Sequence, residues 1–300
     1  MKQKRIGFET QNRISGFLYF LPWLLGFIMF FLSPLVTTVW YSLNQVRVAA
    51  EGGTEFVFLG LGNYIDLFTS EVSANAQPFS RLFVDENILI FTQLPLITIF
   101  SLFLAILANA KYPGRGIVRV IFFLPIVFGL ELVRSYGINS AGRSLIEAAA
   151  ARYYENNPVI MLLWNYTFLP LRLIRFLSSA MEGIFTLFTR TGVQTMIFLA
   201  GLQSISPAHY EVAKIEGANA YTIFWRVTLP SISHVMMFVI IYTLIDLFMG
   251  SIFGNEIYQY AYSRGKIGMG SALSVVYILN VILALGVVWV FMRRAKIIDR

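Results

Sequence analysis

Tyr210-Glu211-Val212-Ala213-Lys214-Ile215-Glu216-Gly217-Ala218-Asn219-Ala220-Tyr221-Thr222-Ile223-Phe224-Trp225-Arg226-Val227-Thr228-Leu229-Pro230 is a polar interlude between two runs long enough to cross a bilayer. It reads as two short helices joined at a glycine. Ser206 is placed to cap the first and Pro207 suits its first helical position, while Gly217 permits the left-handed turn that ends it. Asn219 then caps the second. On that second helix Ala220, Tyr221, Phe224, Trp225 and Thr228 fall on one face at helical spacing, with Arg226 and Asn219 left in water. An aromatic face of this kind on a loop needs something to dock on.

Composition sets what surrounds the loop. Hydrophobic residues make up 57% of the 300 residues and charged residues 13%, against roughly 25% charged in soluble domains. The chain is read as a polytopic, all-α membrane protein. With no cysteine, disulfides, thiolate metal sites and cysteine nucleophiles are excluded. His209 and His234 are the two histidines and stand on opposite sides of the loop, so a metal site has little material. Gly-Lys-Ser/Thr does not occur, so the chain has no P-loop with which to hold ATP itself. No cofactor, nucleic-acid partner or covalent chemistry is expected.

Working outward, six spans are predicted at about 17–41, 87–110, 117–133, 184–205, 234–253 and 271–292, within a single membrane domain over 1–300, with the loop at 206–230. Pro22 and Pro34 predict bends in the first. Residues 47–86 are polar and acidic and suit an outer loop. The uncharged run 156–171 is short for a span and reads as re-entrant or interfacial. With the N-terminus inside, the inner segments carry thirteen Lys and Arg against four acids, and the outer segments ten against eleven. That asymmetry places both termini and the loop on the cytoplasmic side. A seventh span would turn the loop and the basic tail outward.

Asp246 is the carboxylate deep in a span, where an acid costs ~2.5–3.5 kcal/mol on insertion scales, so it should face protein or water. Tyr242, Asp246 and Gly250 share a helical face. A carboxylate beside an aromatic ring suits a sugar, since the acid accepts hydroxyl hydrogen bonds and the ring stacks on a pyranose; a structural pairing of the acid is the competing reading. Gln194 and Asn280 are neutral polar groups at membrane depth, explained by a substrate pathway or by helix-to-helix hydrogen bonding. Glu131 and Arg134 read as a pair with each other, as do Glu211 and Lys214. Tyr258, Tyr260 and Tyr262 read as an interfacial belt.

The spacing of Glu211-Val212-Ala213, Gly217, Val227, Leu229 and Pro230 resembles the EAA loop of binding-protein-dependent ABC importers, with Val212 replacing an alanine and Val227 an isoleucine. From about 111 to 300 the chain is similar to the permease subunit of a bacterial sugar importer of the maltose-type branch. Phe198-Leu199-Ala200-Gly201-Leu202-Gln203-Ser204-Ile205 and Phe123-Leu124-Pro125 carry that resemblance, whereas Tyr260-Ala261-Tyr262-Ser263-Arg264-Gly265-Lys266 departs from the family's usual turn. The resemblance implies a type I importer permease fold in the cell membrane. It implies that Glu211, Ala213, Gly217, Leu229 and Pro230 serve coupling to a cytosolic ATPase dimer, which binds the ATP. It further implies a second related permease, an extracytoplasmic solute-binding protein, and a saccharide crossing a midplane cavity. An ABC permease for another solute, or a secondary carrier, are the alternatives; a carrier should show ion-coupling acids in several spans, where this chain has Asp246.

Overall fold

The computed structural model describes residues 8–48, 53–73, 76–110, 116, 120, 187, 188 and 190–294. Expectations that fall on 121–186, including the third span, the interfacial run 156–171 and the Glu131–Arg134 pair, lie outside the described residues. Four apolar helical stretches among them are long enough to cross a membrane: Gly16–Ser42, Phe79–Asn109, Ser233–Ser263 and Ile267–Arg294. The chain divides into two compact units, Met1–Leu89 with Phe248–Gly286, and Ile90–Leu247 with Val287–Arg300.

In the first unit, helix α1 (Phe8–Phe27) runs through a π-helical turn at Ile28–Leu32 into α2 (Ser33–Ser42). Pro22 sits inside α1 without breaking it, and the irregularity falls just ahead of Pro34. Pro34 has no N–H for the carbonyl one turn back, and a widened turn is how the ladder absorbs the loss. The segment expected to form an outer loop is more ordered than its polar composition suggested. Strands β1 (Asn44–Val48) and β2 (Thr54–Phe58) pair antiparallel, Asn44 opposite Phe58, and α3 (Gly62–Thr69) follows. Asn63 donates both amide hydrogens into the base of this hairpin, to the carbonyls of Ser42 (2.8 Å) and Asn44 (3.0 Å). Ser42 Oγ and the Tyr64 hydroxyl are 2.7 Å apart. Gly268 packs against this knot, where a Cβ would run into the Asn44 carbonyl oxygen.

Helix α4 (Phe79–Asn109) begins well before the expected span. Its first turns are amphipathic, burying Phe79 and Leu82 while Arg81 and Asp85 pair at 3.7 Å on the exposed side, so the hydrophobic run understated the helix. In this unit Leu67, Phe79 and Leu82 pack with Phe253, Tyr260, Met269 and Leu273 as a buried core.

The second unit holds α5 (Gly192–Ser204), α6 (Pro207–Ile215), α7 (Ala220–Ile223), a π-helical turn at Phe224–Thr228 and the short α8 (Leu229–Ser231), then α9 (Ser233–Met249). Its core joins Ala105 and Ala108 of α4 to Phe198, Leu199 and Leu202 of α5 and to Ile232 and Val239. Gly201 allows α5 and α9 to approach, since a Cβ there would lie 2.8 Å from Val235 Cγ2.

The fifth span is interrupted after Met249, short of the expected end. Ser251 N–H and Oγ both donate to the Phe248 carbonyl (3.1 and 2.6 Å), and α10 (Phe253–Tyr258) restarts with Ile252 N–H donating to Glu86 Oε1 at 3.2 Å. A further π turn, Gln259–Ser263, leads to Gly265 at φ +65° and then α11 (Ile267–Arg294). Tyr260 departs from the expected aromatic belt. It is fully buried, while Tyr258 and Tyr262 are exposed with their rings tilted 5.2 Å apart; residues two apart on a helix cannot share a face. The Tyr260 hydroxyl donates to the Val72 carbonyl at 2.9 Å and Arg264 Nη1 donates to the same oxygen at 2.7 Å. Glu71, 14% exposed, holds both Lys266 and Arg264.

Candidate functional site

The loop between α5 and α9 is built largely as its residues dictate. α6 ends in a Schellman arrangement: Gly217 N–H donates to the Lys214 carbonyl and Ala218 N–H to the Ala213 carbonyl, both at 3.0 Å, with Gly217 at φ +78°. Ser206 occupies the N-cap position of α6, but its side chain makes no capping hydrogen bond, and its carbonyl instead accepts from His209 N–H. Asn219 does cap α7, its Oδ1 accepting from Thr222 N–H at 2.8 Å and from the Thr222 hydroxyl at 2.9 Å.

The second helix is not one regular stripe. The π turn Phe224–Thr228 splits it immediately ahead of Leu229-Pro230, repeating the pattern at Pro34 for the same reason, a missing proline N–H. Tyr221 and Trp225 remain outward, 72% and 50% exposed, while Thr228 turns inward beside Tyr210, its hydroxyl 3.4 Å from the Tyr210 hydroxyl. From α6, Val212 and Ile215 are exposed as well. Glu211 and Lys214 are both exposed and make no ion pair among the described residues, so the pairing expected on one turn does not form. Ala213 is buried under the loop, Gly217 is at its apex, and Leu229 and Pro230 are half-buried where it re-enters the membrane.

Three of the intramembrane residues come together in the second unit. Tyr242 and Asp246 lie one turn apart on α9, and the Gln194 amide of α5 lies beside the Asp246 carboxylate, short of hydrogen-bond geometry. Gln194 is 1% exposed and neither of its amide atoms has a hydrogen-bond partner. Asp246 is exposed at the surface of this chain. Arg190, one turn before Gln194, is within electrostatic reach of Asp246 without closing an ion pair, and its Nη1 donates to Gln93 Oε1 of α4 at 3.1 Å. A charged group within a span faces lipid only at a cost of several kcal/mol, so this face is one suited to water or to protein.

Arg190 and Gln93 escaped the sequence reading, although Arg190 falls inside the span placed at 184–205 and Gln93 inside that at 87–110. The spacing of four between Arg190 and Gln194 was the available signal. Gly250 and Asn280 fall in the other unit. Asn280 Nδ2 donates to Asn87 Oδ1 at 3.0 Å, the helix-to-helix bond that was its competing explanation. No group of three or more metal-ligating side chains occurs among the described residues.

Residues 156–300 match the family described as "Binding-protein-dependent transport system inner membrane component". Among curated relatives, the trehalose/maltose transport system permease protein MalF of Thermococcus litoralis is 26% identical over 77% of this chain and 72% of its own length. The arabinooligosaccharides transport system permease protein AraP of Halalkalibacterium halodurans is 24% identical over 91% of this chain and 85% of its own. A solved bacterial ABC transporter involved in the import of the acidic polysaccharide alginate superposes with a TM-score of 0.64 at 18% identity, covering 95% of this chain and 97% of that one. A bacterial alginate ABC transporter solved in complex with an alginate-pentasaccharide-bound periplasmic protein gives a TM-score of 0.62 at 17% identity, covering 96% of this chain and 97% of that one. The apolar spans, the capped loop between α5 and α9, and these likenesses agree: the chain is a multi-pass membrane protein with the type I permease fold, and its residues 156–300 are similar to the inner-membrane components of binding-protein-dependent transport systems.

Proposed function

We propose that this chain is the permease subunit of an ATP-driven importer of a sugar or oligosaccharide. It forms the translocation pathway with a second homologous permease, receives substrate from an extracytoplasmic binding protein, and rests its Pro207–Ser231 loop on a cytosolic ATPase dimer, where ATP is bound. The N- and C-termini and the loop lie on the cytoplasmic side of the cell membrane, in keeping with the basic flanks. The observation that carries this reading is the loop itself, held rigid by the Gly217 and Asn219 caps while Val212, Ile215, Tyr221 and Trp225 are left exposed. Such a face on a firmly built loop is suited to passing a push between a groove and the two spans it joins. The names of the relatives, trehalose/maltose and arabinooligosaccharide permeases, favour a saccharide.

Within the membrane, Asp246 and Tyr242, with Gln194 behind them, serve as the pathway residues of this unit. Asp246 accepts hydroxyl hydrogen bonds and Tyr242 supplies a ring. Gly250 and Asn280 remain candidates from the other unit. Purification of the tagged chain should bring down a P-loop ATPase and a second permease, and ATP-driven uptake should require the binding protein. Asp246→Asn should leave that assembly intact and lower uptake by at least about tenfold, the usual weight of hydrogen bonds to a charged group. Sugar carried down its gradient by the chain alone, without ATP, would identify a carrier instead.

A further inference from the structure

We propose that Arg190 is a specificity-determining residue of the pathway. It is the counter-charge that keeps the hydrated face around Asp246 neutral overall, so that uncharged saccharides are admitted in preference to acidic or basic ones. This rests on the reading that the Asp246 face lines the pathway.

The two charges sit on different spans of one unit and are both exposed. The helix that carries Gly201 and α9 pack against each other in opposite directions, a Cβ at Gly201 falling 2.8 Å from Val235 Cγ2 and Phe198 sharing a core with Val239, so eleven residues back from Gly201 and eleven on from Val235 Arg190 and Asp246 come to about the same level, without closing an ion pair. Arg190 is instead held from the side by Gln93 at 3.1 Å, which fixes the guanidinium while occupying one of its five donors. Two opposite charges at one level of a packed helix pair cancel at a distance, so an approaching ion meets little net field from either sign. Close up, each keeps its own hydrogen-bonding capacity, the guanidinium donating and the carboxylate accepting. A ligand rich in hydroxyl groups, each both donor and acceptor, satisfies the two at once without bringing a charge. A closed ion pair would have used those groups on each other. A lone carboxylate, for its part, would have drawn cations and repelled anions.

The chain has no native cysteine, so the field can be read directly with a reporter thiol at Tyr242→Cys, one turn from Asp246, and a second at Ile245→Cys. The assembled transporter in membranes is treated with an anionic and a cationic methanethiosulfonate of similar size, and their rate ratio is compared with that for a free thiol. With Arg190 and Asp246 both present, the ratio should stay within about threefold of the free value. Asp246→Asn should raise the anionic preference about tenfold and Arg190→Gln should raise the cationic preference about tenfold. The double variant should return to the free value. An unchanged ratio in Arg190→Gln, with the reporters still reactive, overturns the role of Arg190 and leaves the pathway reading standing. Failure of both reporters to react in every background, while a control thiol at Ala218 reacts in opened membranes, shows that the face is dry and removes the pathway reading and this proposal together.

Discussion

In the assembly around Asn63 and Tyr260, expected on the outer side, the Asn63 amide is spent on two backbone carbonyls, Val72 O accepts from both Tyr260 and Arg264, and Glu71 holds two cations. In the loop between α5 and α9, the side-chain bonds that shape the turn are those of Asn219 and the long Thr228–Tyr210 contact, and large apolar groups point away from the chain. Both regions are polar in sequence and both lie between apolar spans. The assembly around Asn63 and Tyr260 closes these polar groups on the chain itself and buries the Tyr260 ring, although Phe56, Phe58, Tyr258 and Tyr262 stay exposed beside it. The loop satisfies its backbone and leaves its aromatic rings uncovered. A region that completes itself answers to stability, whereas one that stops short answers to a partner. Measurements of folding and of assembly should therefore separate the two.

The largest separation is expected at Gly268. Its missing Cβ faces a backbone oxygen, which cannot move aside as a side chain would. Gly268→Val should cost about 3 kcal/mol or more, read as loss of monodisperse protein in fluorescence-detected size exclusion and a fall in melting temperature. A variant that stays folded at the wild-type temperature would mean that the outer knot is looser than its hydrogen bonds suggest.

Gly217 should behave in the opposite manner. A side chain at φ +78° costs about 1–2 kcal/mol, and a Cβ there meets no neighbour within 4 Å. Gly217→Val should thus leave a membrane-inserted protein with its melting temperature little changed, while capture of the ATPase and substrate-stimulated hydrolysis drop sharply. Wild-type values for both would take the loop out of the coupling role and erase the contrast.

The smallest effect is expected at Glu71. Lys266 and Arg264 are partly exposed, and pairs of that kind contribute up to about 1 kcal/mol, less in salt. Glu71→Gln should lower the melting temperature slightly at low ionic strength, and the difference should shrink in high salt. A loss that persists undiminished in high salt would mark the outer clamp as a desolvated network and sharpen the division further.

Much of this was legible in the residues because it depends on local geometry. Gly217 and Asn219 act through backbone a few residues away, so their roles follow from spacing, and the spans follow from the cost of placing charge in hydrocarbon. The π turns before Pro34 and Leu229-Pro230 have a cause visible in sequence, the missing N–H, although the form of the adjustment was not. Tertiary structure decided the rest because those contacts join residues far apart in the chain. Glu71 with Lys266, Asn63 with Asn44, Asn280 with Asn87, and Arg190 with Gln93 are each fixed by which helices pack together. Hydropathy reports only that a segment is buried in something; it carries no information on which neighbour a polar side chain will meet. For that reason Asp246 could be singled out from the sequence, while the partner of Arg190, Gln93, could be found only once α4 and the turn leading into α5 had been brought side by side.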